Sequence, residues 1–506
     1  MKNLVISVPR LEIHRPPIST AIVAETIRLE GAEVEAIDLN CDFFHHVADR
    51  QTYYNYDEIW DRLRVPSLNE TKNIIKFIKL KFPLMDKYDR YWISVFGSSA
   101  TLFTNILCRL IRKHLKNKII ILGGQGVQDM DILENEQYFG TVMKKQGLCD
   151  MFLTGEGEKV IKLVLDGKKE GPGINNINSI QINDLDTLPF PNYEFYDLDK
   201  YDYLSKGKEV FIVGSRGCVR RCTYCDVARY WPKFRYRSGT NIASEMINHY
   251  EKHGVTQFYF TDSLINGSMK SFNNMCETLA KYNSDHKAGF SWKGQFIFRP
   301  KNQVPKDHFA TVAAAGGKEF YVGVETGSDK IRWEMDKKFT NEDIDYQLEE
   351  FSKHNINVFF LMLIGYVTET LDDHKDTLKM FKRWQRYVAT GTIKGIDLAT
   401  GLKFLKDTPL ERQMGQHEVY FLGSDEGQQT DSDMWQAHTN PDLDVPERVR
   451  RRIETHEEAI KYNWPIWRGE QRLSGVKLII EKYQRLLENQ TENLGKQKTE
   501  NLNFFE

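Results

Sequence analysis

Cysteine is scarce in this 506-residue chain: seven residues, too few and too scattered for a disulfide framework. An excess of positive charge is missing as well. Lys and Arg number 69 against 71 Asp and Glu, a formal net charge of -2, which excludes the basic footprint of a nucleic-acid binder. The longest apolar run, Val358 to Val367, falls well short of the about 20 residues a membrane-spanning helix needs. The opening Met-Lys-Asn, the short apolar run Leu4–Val8, then Pro9 and Arg10 make no secretory signal. The expectation is a cytoplasmic protein with no membrane span and no nucleic-acid partner. What remains is an ordinary globular composition, 41% hydrophobic and 28% charged, in a chain long enough for roughly three domains.

Residues 1–183 alternate short apolar runs with amphipathic stretches. Leu4–Val8, Val34–Ile37, Tyr91–Val95, Ile119–Leu122 and Met151–Leu153 read as buried parallel strands, with helices such as Ala21–Leu29 and Leu102–Leu115 between them. This predicts a doubly wound, Rossmann-like α/β domain, with a helical insertion over Asp42–Lys87. Pro189 and Pro191 mark a linker over 184–209. A second series follows over 210–410, with strands at Val210–Gly214, Gln257–Thr261, Phe290–Phe298, Glu319–Val324, Asn357–Ile364 and Gly395–Gly401. Six βα units suit a partial barrel better than a full eight-fold one. Residues 411–487 read as a helical C-terminal region whose Arg448 and Arg450–Arg452 form a solvated helix face. The polar tail 488–506 is expected to be disordered.

Three of the seven cysteines fall within eight positions, in Gly214-Ser-Arg-Gly-Cys218-Val-Arg-Arg-Cys222-Thr-Tyr-Cys225-Asp. The stretch follows an apolar strand, so it sits on a loop at a strand's C-terminal end, where barrel chemistry happens. Thiolates are the usual protein ligands of iron–sulfur clusters. Three on one loop can bind three irons and leave the fourth open to a substrate. Structural zinc normally needs four Cys or His ligands, and no fourth follows at metal-site spacing. A chance trio of core cysteines is set against a polar, glycine-flanked loop. Arg216, Arg220 and Arg221 can offset an anionic cluster. Cys41, Cys108, Cys149 and Cys276 read as buried small hydrophobes.

Cys-x3-Cys-x2-Cys with an aromatic before the third cysteine resembles the signature of the radical S-adenosylmethionine family. Ser215-Arg-Gly and Asp226 resemble its cobalamin-associated branch. Further stretches resemble the family's barrel: Trp231–Ser238, Phe258–Asp262, Trp292–Arg299, Gly323-Val-Glu325-Thr-Gly-Ser328 followed by Lys338 and Thr340, and Leu363–Thr370. The last lacks the Pro and second Gly of the family's Gly-x-Pro-Gly-Glu-Thr turn. The resemblance implies a [4Fe–4S] cluster on Cys218, Cys222 and Cys225. Its open iron binds S-adenosylmethionine, and cleavage gives methionine and a 5′-deoxyadenosyl radical. It places the Tyr224 backbone at adenine and Glu325 near the ribose or methionine moiety, with Asp262 and Arg299 as further cofactor-binding candidates. It also implies an external reductant such as a flavodoxin or ferredoxin.

Residues 1–183 resemble the cobalamin-binding domain that precedes many such barrels. The matching pieces are Arg28–Asp38, Gly123-Gly124 after a strand, and Gly155-Glu156-Gly-Glu158. Glycines after parallel strands let a flat macrocycle approach the sheet's carboxyl edge. The string Gly123-Gly-Gln-Gly126 is no dinucleotide fingerprint. The Asp-x-His-x-x-Gly signature that gives cobalt a histidine does not occur. The leading expectation is cobalamin-dependent methylation of an unactivated carbon in a small molecule, lipid or peptide. The alternatives are a radical enzyme that oxidises, cyclises or rearranges without cobalamin, and a non-catalytic iron–sulfur electron-transfer or sensor protein.

Overall fold

The computed structural model describes residues 1–128, 130–131, 137–176, 180–204, 207–422 and 433–502. Its contacts divide it into two units: Met1–Ile212 with Ser244–Tyr259, and Val213–Ala243 with Phe260–Glu506.

The first unit holds a five-stranded sheet of β1 (Asn3–Ser7), β2 (Val34–Asp38), β3 (Arg90–Ser94), β4 (Ile119–Gly123) and β5 (Met151–Phe152), in the order β2-β1-β3-β4-β5. Every pairing is parallel. β1 is buried along its whole length, as expected for a parallel strand covered on both faces. Helix Thr101–His114 buries Phe103, Leu107 and Ile111 at helical spacing and ends on Arg112, Lys113 and His114, which suit its dipole. The expected helical insertion is present as Leu39–His46, Arg50–Asn55, Asp57–Trp60 and Leu68–Met85. It carries aromatics into the core, where Phe43, Tyr56, Trp60, Phe77 and Phe103 meet edge to face. The strand order reverses direction between β1 and β3, so the carboxyl edge there is the switch point where doubly wound sheets bind ligands.

The second sheet contains β6 (Glu209–Ile212), β7 (Gln257–Phe260), β8 (Ser291–Phe296), β9 (Gly317–Glu325), β10 (Asn357–Ile364) and β11 (Ile393–Gly401), in chain order. From β8 to β11 the pairings are parallel. Six strands with helices between them are the expected partial barrel. In β8 burial alternates, and Trp292 and Phe296 meet helix residues Phe272 and Phe351 edge to face. Helices Asn341–Lys353 and Leu371–Ala389 each begin with a capping box, Thr340 with Asp343 and Thr370 with Asp373. The edge strand β11 is covered from the C-terminal side: Ile396 N donates to Pro465 O and Trp467 N to Ile396 O, both at 2.9 Å.

One expectation is corrected. Helix Val445–Lys461 does not turn its arginines to solvent: Arg448, Arg451 and Arg452 are buried and only Arg450 is exposed. The last helix runs Gly469–Leu502. Residues 503–506 lie outside the described residues. No helix among the described residues is long and apolar enough to cross a membrane.

Candidate functional site

The cysteine loop is closed at its neck by a short antiparallel ribbon, Ser215–Arg216 against Arg235–Tyr236. Gly217 lies just inside the neck with φ +86°, and a Cβ there would sit 2.8 Å from Lys233 O. Glycine is therefore required by the close crossing of two backbones. Trp231 packs between two cations, Arg216 at 5.7 Å and Arg235 at 5.6 Å from its ring centre.

Cys218, Cys222 and Cys225 are free and partly exposed, whereas Cys41, Cys108, Cys149 and Cys276 are buried. The Cys222 carbonyl accepts from Cys225 N at 3.1 Å, which folds the second and third cysteines into one turn. Burial pushes all three thiols up, Cys222 to about 11, while Lys337 pulls each of them down. Among the described residues no three His, Cys, Asp or Glu side chains converge on a single metal ion. A cluster asks for something different, one thiolate on each of three irons. Three accessible thiols on one loop beside a fixed cation are a donor set that fits it.

Beside the loop is a buried polar group that joins three elements. Tyr224 OH donates to Glu325 Oε1 at 2.7 Å, and Lys337 Nζ lies 2.7 Å from the same oxygen. Lys337 also donates to Gly323 O at 3.0 Å. Burial pulls Lys337 down, but Glu325 and the thiols outweigh it and hold the ammonium above its ordinary range. Glu325 ends β9 with φ +67°, where the register against β10 shifts. A bulge at a strand end re-aims a side chain, and left-handed backbone at a non-glycine residue is strain that clusters at functional sites. A Cβ on Gly323 would overlap Glu325 Oε1 and lie 2.6 Å from Lys337 Nζ. The glycine of Gly323-Val-Glu325 is thus the floor on which the ion pair rests. Beyond it, buried Arg332 donates to Thr326 O and to Asn341 Oδ1, fixing the turn.

The other barrel candidates have protein partners of their own. Asp262 accepts from Gly214 N at 2.9 Å and Ser215 Oγ at 2.6 Å, so it anchors the chain leading into the cysteine loop. Arg299 Nη2 donates to the carbonyls of Asn266 and Gly267. Lys337 was not singled out by the sequence reading, which took its neighbour Lys338. Lys338 is exposed and pairs with Asp336.

Burial pushes Asp262 up to about 6. Its folded-state pKa lies above its unfolded value, so the folded chain holds the proton longer, and this residue's contribution to stability falls as pH rises from about 4 to about 6. A shift of about two units is worth about 3 kcal/mol. Asp262→Asn removes the dependence. Urea unfolding of both proteins should show the variant gaining about that much relative to the parent between pH 4 and 6.5. An unchanged difference would mean that Asp262 does not titrate in this window.

In the first unit the glycines play unequal parts. Gly124 has φ +98°, and a Cβ would lie 2.5 Å from Val95 O, so this glycine serves the fold. Gly155 also has positive φ, +75°. Gly123 is different: a Cβ would meet nothing nearer than Leu153 Cβ at 4.0 Å, and at Gly97 and Gly157 it would meet nothing within 4 Å. At these three positions a side chain would have room. Glu156 is buried and its carboxylate accepts from Ile182 N, which ties it to the chain following β5.

Residues 212–381 match the family model of the radical SAM superfamily. Over 289 residues the chain is 25% identical to the anaerobic magnesium-protoporphyrin IX monomethyl ester cyclase of Synechocystis, covering 54% of each protein. It therefore spans about half the length of that curated relative. Among solved structures, the chain resembles the cobalamin-dependent S-adenosylmethionine radical enzyme OxsB with aqua-cobalamin and S-adenosylmethionine bound. The TM-score is 0.63 at 16% identity, over 90% of this chain and 66% of that one. It also resembles the radical S-adenosylmethionine methyltransferase TsrM from Kitasatospora setae with cobalamin and a [4Fe–4S] cluster bound. There the TM-score is 0.58 at 14% identity, over 84% and 81%. At these identities the likeness concerns the fold.

Proposed function

On a chain that carries a radical SAM domain over residues 212–381, we propose a cobalamin-dependent radical enzyme that methylates an unactivated carbon. One observation carries the reading: three free cysteines on a loop of the second unit, flanked by the buried Tyr224–Glu325–Lys337 group. When bound, the cluster supplies the electron that splits S-adenosylmethionine into methionine and a 5′-deoxyadenosyl radical, and cobalamin supplies the methyl group. Cys218, Cys222 and Cys225 hold the irons. Glu325 and Lys337 offer a fixed carboxylate and a fixed ammonium, the two charges that a ribose hydroxyl and an amino-acid moiety seek. Tyr366 and Val367, both buried, form part of an apolar wall that keeps water from this side of the loop. A protein that only carried electrons would have no need of a charged pair buried there.

The open edge at Gly97, Gly123 and Gly157 is where a corrin would lie. Purified protein mixed with hydroxocobalamin should retain about one per chain through gel filtration, with a base-off spectrum, since no histidine signature accompanies this domain. Gly123→Leu should lose the cobalamin and keep both its fold and its iron, because a Cβ is tolerated at that position. Retention of no cobalamin by the parent, with deoxyadenosine still formed, favours the second reading, a non-methylating radical enzyme. The alignment with a cyclase gives that reading its support.

A further inference from the structure

The turn Gly365–Thr370 follows β10. It carries Val367 and Thr368 where the resembling motif has Pro and Gly. Without proline to set φ, the turn is nevertheless buried at Tyr366, Val367 and Glu369. Two side chains from 71 to 82 residues downstream hold it. Asn440 Nδ2 donates to Val367 O at 3.0 Å and to Glu369 O at 3.3 Å. Arg451 Nη1 reaches Glu369 Oε1 at 3.0 Å, Glu369 O at 3.0 Å and Thr370 O at 3.1 Å. The other Glu369 oxygen accepts from Gly365 N at 3.2 Å. Arg451 is 3% exposed along its side chain and Glu369 1%. Arg448 packs on Gly365, stands 3.6 Å over the Trp435 ring and donates to the carbonyls of Leu443, Asp433 and Trp435.

The same turn reaches the cysteine loop. Tyr366 OH lies 2.7 Å from Thr223 Oγ1, and Thr223 stands between Cys222 and Tyr224. Thr223 O accepts from Leu410 N at 2.8 Å, and Thr223 N donates to Met335 O at 3.2 Å. Arg451, Glu369, the turn, Tyr366 and Thr223 are thus one continuous set of contacts, all within the second unit. Two charges buried against each other add little net stability compared with an apolar pair of the same size. What they do provide is a fixed geometry, here that of a turn with no proline of its own.

We propose that Arg451 is a positioning residue for the cofactor loop: through Glu369 it sets the turn 365–370, and through Tyr366 it sets the segment Cys222–Tyr224 against which S-adenosylmethionine is held. This rests on reading that loop as the cluster and S-adenosylmethionine site. The C-terminal helix Val445–Lys461 is then part of the site's machinery, although none of its residues belongs to a cofactor motif.

The test compares the parent with Arg451→Met/Glu369→Leu, which removes both charges and keeps the volume, and with Tyr366→Phe, which removes only the hydroxyl. Iron content, unfolding midpoint and S-adenosylmethionine affinity are measured on each full-length, reconstituted protein, the affinity from the change in the reduced cluster's EPR spectrum. The double variant should hold parental iron and bind S-adenosylmethionine about tenfold more weakly, the scale of one lost hydrogen bond to a charged group. Tyr366→Phe should weaken binding about threefold, since a neutral hydrogen bond is worth less. Parental affinity in a folded double variant overturns the proposal and makes the pair a structural anchor alone. If the double variant does not fold, parental affinity in Tyr366→Phe overturns it. A parent protein that binds no cluster would instead defeat the functional reading, an outcome visible before any variant is made.

Discussion

Replacing Cys222 with alanine will leave a folded chain that holds almost no iron after anaerobic reconstitution and forms no 5′-deoxyadenosine. Cys222 sits at the centre of the loop. Its carbonyl closes the turn to Cys225, and the next residue is held by Met335, Tyr366 and Leu410. The backbone that presents the thiols is fixed by contacts the substitution does not touch, so the fold survives. The iron does not, because two thiolates cannot hold three corners of a cluster. No other cysteine stands in, since Cys41, Cys108, Cys149 and Cys276 are all buried. Iron analysis, visible absorption and circular dichroism check the prediction. Parental iron in the variant would show that the ligands lie elsewhere.

Lys337→Met will have the second large effect. Lys337 and Glu325 each have side chains only 9% exposed, and they meet at 2.7 Å. Removing the ammonium leaves a carboxylate buried beside Cys222, whose thiol already feels it. Breaking one partner of such a pair costs about 3–5 kcal/mol, read from urea unfolding. Adding Glu325→Gln should restore most of that stability, because the buried charge is then gone. It should not restore deoxyadenosine formation, since the carboxylate and the ammonium are both absent from the site. A double variant that recovers stability and turnover together would make the pair structural only.

Much of this arrangement is legible in the sequence, for physical reasons that can be named. Parallel strands covered on both faces are apolar over most of their length, so β1, β4 and β10 stand out as runs. Three cysteines in eight positions need no tertiary information to be seen as one site. Other parts were misread because residue type hid the pattern. Arg448, Arg451, Arg452, Thr455 and Ala459 recur at the spacing of a buried helix face, but arginine suggests solvent, and Glu369, the buried carboxylate that Arg451 meets, lies 82 residues away. Lys337 and Lys338 are adjacent and chemically identical. Only the fold shows that one pairs with Glu325 inside and the other points out. Asp262 shows a role that the sequence does not reveal: its carboxylate accepts from Gly214 N and Ser215 Oγ and so caps the entry to the cysteine loop. Gly124 and Gly123 read alike as a pair, and only the position of Val95 O separates the glycine the fold needs from the one that leaves space.

The central claim is that Cys218, Cys222 and Cys225 hold a cluster that cleaves S-adenosylmethionine. The most direct measurement is 5′-deoxyadenosine release, by chromatography and mass spectrometry, from the anaerobically reconstituted chain given a strong reductant and S-adenosylmethionine. The account predicts about four irons per chain, as in a [4Fe–4S] cluster, and 5′-deoxyadenosine and methionine in equal amounts even without a second substrate. A colourless protein that takes up zinc in place of iron, or an iron-loaded protein that leaves S-adenosylmethionine intact under these conditions, would contradict it.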